Sequence, residues 1–386
     1  MNIKKRGRNS WLLTIEIGRG PDGKRQRHYE TFKGLRRDAE KRYSELLNEL
    51  TVNGYQKPEK ITLDEALKRY LRGVKHQVVQ RTFERYEDLA EKHIQPVLGH
   101  LYINELQPFV IADYYEQLLD QGRLDGRGGL SPATIKQIHH VLRATLQQGV
   151  DMKLIKFNPA SSVKPPRRNK KEAQFLRESD IKMILKHLQD NESEILIPTS
   201  LAANTGCRLS EVLGLKWSDI DFENRTLTVQ RTLQQGKKGL FIGDVKSKSS
   251  KRKISLTEQD IAFLKRIKKT QAEQKLSKGT CYNNQDFICS QEDGSPMKPV
   301  DVSSNFRRAA KALGIQGSFH GLRHGHATIL LSQGASLKHI ATRLGHSSVS
   351  FTADVYAHVT ISDDRRLAEL YQKALKEEKV ADESAE

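Results

Sequence analysis

From Trp11 to Ile17 the chain reads Trp-Leu-Leu-Thr-Ile-Glu-Ile, a β-prone run. Gly20-Pro-Asp-Gly23 follows with the composition of a turn, and Lys24 to Phe32 returns as a second strand. The period then lengthens. Ala39, Tyr43, Leu46, Leu47 and Leu50 recur at helical spacing and predict a helix over 35–50 that covers one face of the sheet. After a break at Asn53-Gly-Tyr-Gln-Lys-Pro58, Thr62-Leu-Asp-Glu65 carries a capping-box signature leading into Ala66, Leu67, Tyr70 and Leu71. Helical patterns follow near 80–93, 108–121 and 132–152, the last opened by Ser131-Pro132, which completes a four-helix unit.

Asn158 to Lys171 joins proline-stiffened backbone to a basic run and reads as a linker. Beyond it, Ser179 is the expected N-cap of a helix over Asp180–Leu188, and Glu192–Asn204 predicts another. Thr205 to Trp217 places Leu209, Val212 and Leu213 on one buried stripe. Thr226–Leu233, Leu240–Val245 and Arg252–Leu256 alternate as strands and predict a three-stranded sheet. His320 opens a helix, Ser336–Leu344 forms the next, and Gly345-His346 starts a turn at its end. Thr352 to Tyr356 is expected on a short helix capped by Ser350 or Thr352. The fold class is therefore multidomain α+β: a small N-terminal three-stranded sheet plus helix, a helical domain, and a mainly α domain with a small antiparallel sheet. The expected boundaries are 1–56, 60–160, a linker at 161–173, 174–370, and a tail at 371–386.

Charge narrows the partners. The 386 residues hold 65 lysines and arginines against 47 acids, net +18, and a polyanion, double-stranded DNA first, is the expected ligand. Residues 1–60 alone hold 15 basic and eight acidic side chains, net +7, as suits a small sheet that lays strands in a DNA groove. A hydrophobic content of 37% fits several small cores better than one large one. No run approaches the ~20 apolar residues of a membrane span and no apolar leader opens the chain, so no membrane partner is expected. Cys207, Cys281 and Cys289 lack the spacing of a metal site or redox pair and read as reduced thiols.

Five side chains carry the chemistry. Arg208-Leu-Ser-Glu211 stands about 110 residues before His320-Gly-Leu-Arg323, which is followed by Leu344-Gly-His346 and Tyr356-Ala-His358. Two arginines, two histidines and a tyrosine in this order are what an attack on a DNA phosphodiester by a tyrosine hydroxyl requires. Arg208 begins a helix, where a guanidinium can reach a phosphate, and Glu211 lies on the same side, able to orient it. His320 and His324 also have the i, i+4 spacing of helical zinc ligands. However, the residues between are Gly, Leu and Arg323, with no general-base glutamate, so no metal is assigned. His139-His140 suit packing or phosphate contact better than catalysis.

This arrangement resembles the catalytic signature of the tyrosine recombinases, the family of temperate-phage and conjugative-transposon integrases. The resemblance implies that Arg208 and Arg323 clamp the phosphate oxygens and that His320 accepts the phenolic proton. It further implies that His346 supports the phosphate or positions the tyrosine, and that Tyr356 becomes joined to a 3′-phosphate. A hairpin lysine protonates the leaving 5′-oxygen. Lys246 is assigned by its position after the strand, and Lys248 competes for the role within the same basic turn. No metal, nucleotide or other cofactor is implied. Residues 1–56 resemble an arm-type DNA-binding domain, with Lys5, Arg6, Arg8, Lys24, Arg25 and Arg27 as contacts. The unit at 60–160 resembles a core-binding domain, with Arg81, Arg85, Lys136 and Arg143 facing phosphates. The resemblance also implies a homotetramer on two attachment sites that exchanges strands through a four-way junction. A host DNA-bending factor and an excisionase join it, and the setting is the bacterial cytoplasm, on the nucleoid. Two alternatives stay open: a resolvase of chromosome or plasmid dimers, and a DNA-binding regulator that performs no chemistry.

Overall fold

In the computed structural model the described residues are 2–19, 25–53, 60–167, 176–245 and 250–345. The chain divides into two compact units, Met1–Arg168 and Asn169–Glu386.

The first unit holds two separate apolar cores. In one, β1 (Asn2–Gly7), β2 (Ser10–Arg19) and β3 (Arg25–Lys33) form the expected three-stranded sheet, antiparallel and in sequence order, with the basic N-terminus as its first strand. Leu13 and Ile15 alternate inward from β2 and meet Ala39, Tyr43 and Leu46 of α1 (Arg36–Asn53). Arg42 of α1 donates to both carboxylate oxygens of Glu30 on β3, at 3.0 and 3.3 Å. Leu47, expected on the inward stripe, lies at its edge and is exposed.

The other core belongs to the helices. Thr62 caps α2 (Leu63–Val74) with the predicted box: its hydroxyl accepts from the Glu65 amide at 3.3 Å, and the Glu65 carboxylate accepts from the Thr62 amide at 3.0 Å. α3 (Gln80–Leu89) continues through one π-helical turn, Ala90–Ile94, into the short α4 (Gln95–Leu98). α5 (Pro108–Gln121) and α6 (Pro132–Asp151) both start at proline, and Ser131 caps α6 as predicted. Ile111, Leu118, Ile135, Ile138 and Leu142 fill the centre. His139 is absorbed by packing, its Nδ1 2.8 Å from the Tyr115 hydroxyl, and the His140 ring lies 5.8 Å from Tyr86.

The second unit opens with α7 (Glu178–Asp190), α8 (Leu196–Thr205) and α9 (Leu209–Leu213). α7 begins two residues before the predicted start. The Asp180 carboxylate accepts from the Arg177 amide at 2.9 Å, which makes Arg177 rather than Ser179 the residue before the helix. α8 starts at Leu196, not Glu192.

The predicted three-stranded sheet is two sheets. β4 (Ile220–Asp221), β5 (Thr226–Val229) and β8 (Arg252–Ser255) make one, and β6 (Arg231–Gly236) with β7 (Gly239–Asp244) makes the other. The run 226–233 breaks at Gln230 because Gln230 and Arg231 both turn to the buried Asp219 carboxylate. α10 (Glu258–Lys278), α11 (Pro299–Ala312), α12 (Phe319–Ser332) and α13 (Leu337–Leu344) complete the unit. α12 packs against α8 and α13, and α13 against β8. No helix of the described residues is long and apolar enough to cross a membrane.

Candidate active site

α8 ends on Gly206, which adopts a left-handed conformation at φ +69°. The chain turns there and restarts at Arg208, the residue before α9. Both ends of Arg208 are tied to Glu211: its amide donates to one carboxylate oxygen at 2.9 Å and its Nη1 to the other at 2.7 Å. Glu211 is 2% exposed, whereas the Arg208 side chain keeps 37% of its surface open. Burial alone would push the Glu211 carboxyl upward. The charge and hydrogen bond of Arg252, with help from Arg208, outweigh it and hold the carboxyl below its ordinary value.

Arg323 approaches from α12. It is 3% exposed, and its Nη1 donates to the Gly206 carbonyl and its Nη2 to the Leu344 carbonyl, each at 2.9 Å. Desolvation, then the positive charge of Arg208, lowers its pKa to about 10, so it stays protonated at neutral pH. His320, one turn earlier, is exposed at its outer edge. The inner part of its environment excludes enough water that desolvation, followed by the charges of His324, Arg323 and Arg208, pushes its pKa down to about 4. Its ring meets that of His324 edge-on at 4.7 Å. A neutral imidazole thus sits beside two guanidiniums that feel each other's charge.

The same arginines hold the end of α13. Ser336 caps its start and Gly345, at φ +71°, its end. The carbonyl of Arg343 accepts from Arg252 Nε at 2.7 Å, and that of Leu344 from Arg323. Arg343 Nη2 returns to the Asn204 carbonyl at 3.2 Å. Its Nε donates at 3.2 Å to Nε2 of His326, whose Nδ1 lies 2.8 Å from the Ala203 carbonyl. His326 is therefore a neutral imidazole with Nδ1 protonated. Burial carries its pKa down to about 4, the Ala203 carbonyl opposing and Arg343 adding to the fall.

Residues 174–362 match the Phage integrase family, and residues 62–119 match the Phage integrase, N-terminal SAM-like domain. The chain is 30% identical over 379 residues to a tyrosine recombinase XerC-like protein of Caldanaerobacter subterraneus subsp. tengcongensis, covering 93% of this chain and 94% of that one. It belongs to the phage integrase family of tyrosine recombinases. The fold of this recombinase is also that of the Tn1549 transposon integrase in complex with a circular intermediate DNA: TM-score 0.65, 22% identity, 80% of this chain and 99% of the other. A lambda integrase tetramer bound to a Holliday junction aligns at TM-score 0.57 and 20% identity, over 90% of this chain and 96% of that one. The chain is a tyrosine-type site-specific recombinase.

Of its predicted site residues, Arg208, Glu211, His320 and Arg323 come together as described. Lys246, Lys248, His346 and Tyr356 lie outside the described residues, as does Lys24. In the helical core of the recombinase, Arg81, Arg85, Lys136 and Arg143 are all exposed. Arg85 on α3 donates to Gln137 of α6 at 2.9 Å and Arg143 to Ser161 at 3.3 Å. Lys136, His140 and Arg143 stand one helical turn apart on one face of α6, and Arg85 reaches α6 from α3 at Gln137. In the sheet, Lys5, Arg6 and Arg8 are exposed, and Arg25 is the first residue of β3. Arg27 is exposed too and pairs with Glu16 at 3.5 Å.

Three residues that hold the recombinase site together were not foreseen: Arg252, His326 and Arg343. Arg252 had a signal. β8 pairs Arg252 with Val229 and Ile254 with Leu227, so an arginine occupies an inward strand position next to a fully apolar pair. The histidine and Arg343 had none, because their partners are each other and two carbonyls of α8, remote in sequence.

Proposed function

We propose that this recombinase integrates and excises a temperate phage or integrative mobile element, with Tyr356 as its nucleophile. The observation that carries the reading is the pairing of Arg208 and Arg323, fixed from behind by Glu211 and by two backbone carbonyls, beside the neutral His320. A free tyrosine has a pKa of ~10, so ionising it at pH 7 costs roughly 4 kcal/mol, and the phosphate is an anion that repels phenolate. Two guanidiniums on the non-bridging oxygens oppose both costs and stabilise the pentacovalent transition state. His320 is neutral at working pH and can accept the phenolic proton. A bound phosphate anion raises its basicity back towards the ordinary imidazole value.

In this reading Tyr356 attacks the phosphorus and the bond to the 5′-oxygen breaks. That oxygen takes a proton from Lys246 or Lys248, and His346 supports the phosphate. A 3′-phosphotyrosyl bond keeps the phosphodiester energy, so a 5′-hydroxyl from partner DNA reverses the step and seals a new junction. Residues 1–56 serve as the arm-binding domain, 60–160 as the core-binding domain, 161–173 as the linker, 174–370 as the catalytic domain and 371–386 as a tail. The assembly is a tetramer on two attachment sites in the bacterial cytoplasm, on the nucleoid, assisted by a host DNA-bending factor and an excisionase. The basic N-terminal sheet favours this over a dimer resolvase.

The test uses the element's junction DNA nicked near the crossover, so that the short 5′-hydroxyl fragment diffuses away, with EDTA present. The expected result is a denaturation-resistant adduct mapping to Tyr356, absent in Tyr356→Phe, which still binds DNA. Tight specific binding with no adduct would overturn the reading in favour of a regulator.

A further inference from the structure

Arg252 makes four hydrogen bonds and its side chain is almost wholly enclosed. Its side chain is 5% exposed. Nη2 donates to Glu211 at 3.0 Å and contacts the Cys207 sulfur at 3.4 Å, Nη1 donates to the Ser250 carbonyl at 3.1 Å, and Nε donates to the Arg343 carbonyl at 2.7 Å. With four of its five N–H groups engaged, it has no face left for a substrate.

The electrostatics of the trio explain what it does. Arg208 and Glu211 alone are a neutral pair, and a neutral pair offers a phosphate little. Glu211 shares its two oxygens between Arg208 and Arg252, so the three groups carry net +1. The one guanidinium of the pair that is still open to its surroundings is that of Arg208, at 37% exposure. Glu211 can then fix the direction of Arg208 without cancelling its charge.

We infer that Arg252 is a positioning residue of the reaction: it balances Glu211 from behind, so that Arg208 is held in place and keeps its positive charge for the scissile phosphate. Through the Arg343 carbonyl it also pins the last turn of α13. The inference rests on the reading of Arg208 as a phosphate ligand.

The experiment compares wild type, Arg252→Met, Arg252→Lys, Glu211→Gln, the double variant R252M/E211Q and Arg208→Ala as full chains. It measures single-turnover adduct formation on the nicked substrate, DNA affinity and thermal melting. R252M should slow the adduct by roughly 10²-fold, the scale of one lost transition-state charge contact, with affinity within about threefold. R252K keeps the charge, and with it most of the rate, within about tenfold of wild type. The decisive variant is R252M/E211Q, which removes both charges and leaves Arg208 again at net +1. It should recover about tenfold over R252M. A purely structural role gives no such rescue, because the double variant removes still more hydrogen bonds. R252M cleaving at the wild-type rate, or R252M/E211Q no faster than R252M, would overturn the inference. Should R252M fail to fold, R252K slowed as much as R208A would overturn it instead. Wild-type cleavage by R208A would remove the reading of Arg208 itself, and the inference with it.

Discussion

Arg323 Nη2 donates to the Leu344 carbonyl at 2.9 Å, joining α12 to the final turn of α13. With Nη1 on Gly206, one buried guanidinium bridges the ends of two helices. A lysine carries one ammonium and cannot span both carbonyls. Arg323→Lys should therefore cost about 2–4 kcal/mol of stability, the loss of two charge-assisted hydrogen bonds, read by denaturant titration. Adduct formation should fall by ~10³ while DNA affinity changes little.

Gly206 is held between those helices. A Cβ there would stand 2.5 Å from Leu344 Cδ2 and 2.9 Å from the His326 ring, at φ +69°. Gly206→Ala should destabilise the recombinase by about 2–4 kcal/mol, backbone strain and overpacking combined. Gly334→Ala is the control. At φ +86° with nothing within 4 Å, it should cost only the backbone part, roughly 1 kcal/mol. Equal losses for the two would contradict the crowding argument.

Acid should loosen the site before it denatures the rest. His320 and His326 have folded pKa values of about 4, below the unfolded value of ~6.5. Between those limits the unfolded chain binds more protons, so stability is full above pH ~6.5 and is lost as pH falls towards 4. His326 should carry most of the loss, on the order of 2 kcal/mol once its partial hydration is allowed for, because His320 is exposed and screened. Melting temperatures from pH 7.5 to 4.5 check this. His326→Asn should flatten the curve, and a curve unchanged in that variant would contradict the assignment.

The basic residues of α3 and α6 predict a salt signature. If Arg85, Lys136 and Arg143 each neutralise a phosphate, changing any one to alanine should lower the log–log salt slope of binding by ~0.9. The measurement is affinity across a salt series. An unchanged slope would mean that the hydrogen bonds of Arg85 to Gln137 and Arg143 to Ser161 are their whole role.

Removal of residues 1–56 takes away the sheet, α1 and their separate core. Affinity for distal sites should drop while cleavage of a nicked core site persists. Lost cleavage would make the sheet part of the catalytic unit.

Local signals were legible where the physics is local. The Thr62 box, the proline starts of α5 and α6 and the Gly345 cap all formed as the residue types dictate. So did the Arg208–Glu211 contact, because three residues on a helix are neighbours wherever the helix sits. What could not be read were the partners supplied by topology. The sheet split at Gln230 because Asp219 lies eleven residues back and buried. His320 and Arg323, expected side by side, divide between surface and interior because the carbonyls of Gly206 and Leu344 draw only the arginine inward.

The carbonyl end of α13 is gripped from two directions, by Arg252 on a strand and by Arg323 on another helix. Gly345 is therefore a moored point. Ten residues lie between Gly345 and Tyr356, so their Cα atoms stand at most about 40 Å apart. For the tyrosine proposed above as nucleophile, that ceiling is measured from a helix end that two guanidiniums hold. Loosening Arg252 or Arg323 would free the origin from which that ceiling is measured, with the sequence up to the tyrosine unchanged.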